Sequence, residues 1–83
     1  MLVKLTYGTD RVVGENWQQT EIYPAKRAAQ EAVLLSAVLF QRELPEGNFA
    51  VGKDCQEAYI QSGCYFIEVE TLEKEKQLCI FTK

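Results

Sequence analysis

The sequence predicts a two-layer α+β domain in which an antiparallel sheet packs against one long amphipathic helix, in the order β-β-α-β-(α)-β-β. Three observations predict it. The chain opens on an alternating apolar run, LVKLTY, and carries one stretch of good helix formers from Ala25 to Leu44. It closes on two β-rich runs, CYFIEVETL at 64–72 and QLCIFTK at 77–83, around a polar EKEK. Residues 1–83 read as a single domain, because a chain of 83 residues has no room for two cores.

In chain order, Val3, Leu5 and Tyr7 alternate with Leu2, Lys4 and Thr6, the period-2 pattern of a half-buried strand. GTDR at 8–11 supplies a turn, and Asn16 to Tyr23, with Trp17, Thr20, Ile22 and Tyr23, reads as the second arm of a hairpin. Val12 and Val13 fit either arm, with Gly14 marking a bend or bulge. Pro24 falls at the first helical position, where its fixed φ and missing N–H do no harm, and Pro45 with Gly47 supplies the stop. On a helical wheel Ala25, Ala28, Ala29, Ala32, Val33, Leu35, Leu39 and Phe40 share a broad apolar face with Ser36 near its centre. The alanines let the first half of the helix lie close to a sheet.

Phe49 to Lys53 reads as a short strand. DCQEAYIQSG at 54–63 offers Asp54 as an N-cap, Glu57 three residues on and Gly63 as a stop, the signature of a short helix with Cys55, Ala58 and Tyr59 inward. An extended loop fits the same residues. The terminal hairpin is then set by a four-residue loop at 73–76, which pairs Thr71 with Leu78, Val69 with Ile80 and Ile67 with Thr82. That register gathers the branched apolar side chains on one side and places Phe66, Glu68, Glu70, Cys79 and Phe81 on the other. A three- or five-residue loop exchanges the faces.

Composition removes most chemistries. With no histidine, the Ser-His, Cys-His and His-zinc sites cannot be assembled. Ser36 and Ser62 lack a base, the five glycines make no phosphate-cradling loop, and Cys55, Cys64 and Cys79 form an odd set without C-x-x-C spacing. Glu68 and Glu70 lie about 6.6 Å apart along one strand face at the ~3.3 Å rise, near a two-carboxylate separation, but pairs of that kind are common on exposed strands. No catalytic residue, metal ligand or cofactor is expected. The cysteine usage points to a reducing cytoplasm, and MLVKLTYGTD has neither the basic flank nor the apolar core of a signal peptide, so the chain reads as starting at its own Met1. The run from Ala32 to Phe40 is far short of the ~20 residues that span a bilayer.

The formal charge of −3 lies wholly in the second half, where residues 46–83 carry seven acids against four lysines. Such a surface repels phosphate, so direct nucleic-acid binding is not expected, while a partner with a basic, nucleic-acid-binding groove is attracted. Phe66, Phe81 and Cys79 with Glu68, Glu70 and the Glu73 and Glu75 of the EKEK loop form the candidate partner-binding face, an apolar anchor with directional charge. Leu34 and Val38 project from the polar side of the helix and are the candidate contact for an identical chain, as in a homodimer.

No family motif is present. In general style, the short acidic α+β chain without catalytic equipment resembles small phage or mobile-element proteins, including CRISPR-Cas inhibitors. That resemblance, which is one of composition, implies a non-catalytic inhibitor of a larger enzyme or nucleoprotein complex. The alternative expectation is a structural homo-oligomeric accessory protein whose open sheet face or helix patch is buried between identical chains.

Overall fold

A computed structural model describes residues 1–10, 14–52 and 54–72. The fold is α+β: among the described residues, strands β1 (Leu2–Thr9), β2 (Gln18–Pro24), β3 (Glu57–Ser62) and β4 (Tyr65–Thr71) form one antiparallel sheet in the order β2-β1-β4-β3. Helix α1 (Ala25–Leu39) connects one edge strand, β2, to the chain leading into the other, β3. A connection between opposite edges must cross the whole sheet, which is why α1 lies over one face.

Alternation along the strands decides that face. Val3 and Leu5 of β1 and Ile67, Val69 and Thr71 of β4 are buried against Ala28, Ala29 and Ala32 of α1. Their register is direct, Val3 opposite Thr71 and Leu5 opposite Val69, so the two central strands present one continuous apolar strip. Each fully buried Leu, Ile, Val or Phe contributes about 1.5–3 kcal/mol. The alanines and Ser36 are the buried helix positions, and Ala25, Val33, Leu35, Leu39 and Phe40 pack around the edge of the core, matching the wheel.

The helix is five residues shorter than its composition predicts, ending at Leu39 instead of Leu44. Gln41 adopts a left-handed φ of 56°, and the Phe40 and Arg42 N–H groups both turn back to Ser36 O. The reversal sinks Leu44 into the core, a gain from burial that helix propensity cannot register. The next element also differs from expectation. Glu46–Phe49 is one turn of 3-10 helix after Pro45, not the start of a strand, and it buries Phe49 completely.

Residues 54–63 hold a strand, β3, in place of the short helix. Ala58 and Ile60 turn to the core while Tyr59 and Gln61 turn away, and Gly63, at φ 61°, opens the two-residue turn into β4. A glycine at that turn position closes a tight hairpin. β3 therefore takes one edge of β4 and β1 takes the other: Val69 faces both Leu5 and Ala58, and Ile67 faces both Tyr7 and Ile60. No edge is left on β4 for the expected ladder to Ile80 and Thr82, and the return arm 77–83 lies outside the described residues.

Candidate functional site

Among the described residues, no helix or strand packs over the second face of the sheet. Its side chains form three rows across the strands. The first runs Ile22, Lys4, Glu70, Glu57; the second Thr20, Thr6, Glu68, Tyr59; the third Gln18, Gly8, Phe66, Gln61. Phe66, Glu68 and Glu70 thus share the face away from the helix, where the sequence placed them. Glu73, Glu75, Cys79 and Phe81, the remainder of the expected partner-binding set, lie outside the described residues.

The aromatic part of the face differs from the expectation. Phe66 is only 5% exposed. It lies opposite Gly8 on one side, and the Tyr59 ring stacks on it with centroids 5.8 Å apart and planes 18° from parallel. Tyr59, exposed by nearly half, is the ring that meets solvent. Phe66 is its support. Gly8 is required for a separate reason: a Cβ there would run into the backbone of Trp17 and Gln18.

Three carboxylates converge beside this platform. Glu57 is directly opposite Glu70, Glu68 is two residue pairs further along and hence on the same face, and oxygens of all three lie within 4.8 Å of one another. Side-chain convergence brings them closer than the strand rise alone would. Burial pushes Glu68 above the ordinary carboxylate range, a hydrogen bond with Glu57 and the charges of Glu57 and Glu70 push it the same way, and Lys4 pulls it down. A carboxyl–carboxylate hydrogen bond requires a proton, so the contact with Glu57 favours the protonated form of Glu68.

Three oxygen donors of this kind suit a hard divalent cation, an ammonium or a guanidinium. They supply half or less of the six to eight oxygens that calcium takes. Sequence reading missed Glu57, Tyr59 and Lys4 as members of the face. The signal for the first two was available: EAYIQS alternates with period 2, and Gly63-Cys64 is a hairpin-turn pair ahead of YFIEVE. Lys4 could be placed only once β1 was known to pair with β4.

Leu34 and Val38 are 61% and 73% exposed on the outer side of α1, as expected. Leu34 also lines a groove of about 540 Å³ with Gln30, Val33, Glu43, Leu44, Pro45 and Glu46. A second groove of about 230 Å³ runs beside the first turn of α1. Neither is lined by the glutamate cluster. No helix of the described residues is long and apolar enough to cross a membrane.

Comparison of the chain with family models, curated proteins and solved structures gives no match.

Proposed function

We propose that the chain is a non-catalytic protein-binding module whose open sheet face docks on a larger enzyme or nucleoprotein complex and blocks it, in the manner of a phage or mobile-element inhibitor. The observation that carries this reading is the pairing on one face of a supported, half-exposed Tyr59 with the Glu57, Glu68 and Glu70 carboxylates. Tyrosine is among the side chains that dominate protein interfaces, and charge beside it gives a partner specificity and orientation. The absence of histidine supports binding over catalysis. The cytoplasm is the proposed compartment, supported by the unpaired Cys55 and Cys64.

The test is affinity capture from the native cell with the parent chain and with Tyr59→Ser, Glu68→Lys and the double variant, folding being checked by circular dichroism. Loss of a captured protein from the folded double variant supports the reading. Retention of every captured protein overturns it.

A second reading, a homo-oligomer joined through α1, is supported by the exposure of Leu34 and Val38 beside a groove. Light scattering that reports a monomer from micromolar to millimolar concentration removes it.

A further inference from the structure

We infer that the occupant of the open sheet face is a basic protein segment that lays an arginine over the Tyr59 ring and into the Glu57, Glu68 and Glu70 carboxylates. The inference rests on the docking reading above and names the chemistry of the partner.

Charge decides between the occupants. Among the described residues, the face carries three carboxylates and one lysine, Lys4, in the row pattern Lys4, Glu70, Glu57. A second copy laid face to face in any orientation brings six carboxylates and two lysines into one interface, so self-association leaves like charges buried together. Phosphate is repelled by the same group. A cationic partner instead adds positive charge where the carboxylates outnumber Lys4.

Geometry then favours arginine. A guanidinium is planar, so it can lie flat on the exposed side of Tyr59, and its N–H groups fork towards two carboxylate oxygens at once. Tyr59 stands directly opposite Glu68 in the register, and Phe66 holds the ring from beneath. Ring and carboxylate are therefore side by side on a central and an edge strand whose backbones are hydrogen-bonded together, which places the site on rigid elements. On the same face, Ile22 of the opposite edge strand and Leu2 at the start of β1 are half-exposed and offer apolar contact to the rest of the segment.

Binding is coupled to protons. The groups facing Glu68 are Glu57 and Tyr59 on β3, Glu70 on its own strand and Lys4 on β1. An arriving cation favours the ionised form of Glu68, so binding strengthens as pH rises from below the ordinary glutamate range through the raised Glu68 value.

The experiment is an NMR titration of the full chain with an acetylated pentapeptide holding two arginines among glycines, and with its citrulline counterpart. The expected result is saturable shifts centred on Glu57, Tyr59, Glu68 and Glu70, weaker by about tenfold for citrulline and for the Glu57→Gln, Glu68→Gln variant, and weaker at about pH 4, in the ordinary glutamate range, than at pH 7. Binding that is equal for the citrulline peptide, or unchanged in the double variant, overturns the inference. Saturable shifts of the same residues with magnesium or calcium chloride that exclude the peptide also overturn it, by making the cluster a metal site. Concentration-dependent broadening of these residues in the free chain assigns the face to a second copy, and contacts between Tyr59 and residues 73–83 assign it to the chain itself; either overturns it. The docking reading stands or falls separately, on whether the folded Tyr59→Ser, Glu68→Lys variant keeps its captured proteins.

Discussion

The Ser36 hydroxyl accepts a hydrogen bond from the Leu44 N–H at 2.9 Å and donates one to Val33 O at 2.6 Å. One fully buried polar atom in the middle of the apolar helix face therefore ties the returning chain to the helix it has just left. The bond explains how a serine belongs among alanines. It satisfies a backbone donor that the burial of Leu44 would otherwise strand.

Ser36→Ala leaves the buried Leu44 N–H without that acceptor, and the expected loss is about 1–3 kcal/mol. At roughly 4–8 °C per kcal/mol for a domain of this size, the melting temperature falls well outside error. Urea and thermal melts measure it, and an unchanged midpoint contradicts the role assigned to the hydroxyl.

Gly8→Ala places a methyl group against the Trp17 carbonyl, a backbone atom that cannot rotate aside. Overpacking of this kind costs about 1–3 kcal/mol. Gly47→Ala is the matched control, since its Cβ meets nothing within 4 Å, and its stability should stay within about 0.5 kcal/mol of the parent. Equal melts for the two variants would show that the β1 approach to Trp17 is looser than described.

Thr71 Oγ1 is buried on the helix side of β4 with no hydrogen-bond partner among the described residues. Thr71→Val keeps the shape and removes the orphaned group, so stability should rise by about 1 kcal/mol. Chemical denaturation decides the sign, and a fall would mean that the hydroxyl is satisfied in solution.

Glu68 is raised by its burial first and by Glu57 and Glu70 after it. A carboxyl raised on folding keeps its proton in the native state after the unfolded chain has lost it. Its stabilising contribution is present below the ordinary glutamate range and is lost as pH rises through the folded value. Glu68→Gln removes that loss, so the variant should exceed the parent by a few tenths to about 1 kcal/mol at pH 7, with the difference closing near about pH 4. Urea melts at both pH values provide the comparison; a variant weaker than the parent at pH 7 rules the cluster out as a source of repulsion.

Much of the fold and part of the site could be read from the residues because both depend on local periodicity. The alternation in LVKLTY set the core side of β1 and the wheel set the buried face of α1; Phe66, Glu68 and Glu70 do lie together away from the helix, but the 77–83 register from which the sequence placed them there lies outside the described residues. The exposure of Leu34 and Val38 followed from the same wheel. Where the reading failed, local signals competed. Residues 54–63 carry an N-cap and a capping-box glutamate, yet they form β3 because Ala58 and Ile60 complete the core beside β4.

The sequence by itself determined the class of fold, the helix face, the absence of histidine chemistry and the concentration of negative charge in the second half. Only the tertiary structure decided where the helix stops, what lies beside Glu68 and which aromatic ring meets solvent. Those outcomes depend on contacts between residues far apart in the chain: Leu44 returning to Ser36, β3 taking the free edge of β4, Tyr59 closing over Phe66. Periodicity reports which way a side chain points from its own backbone. It carries no information about which strand will lie alongside.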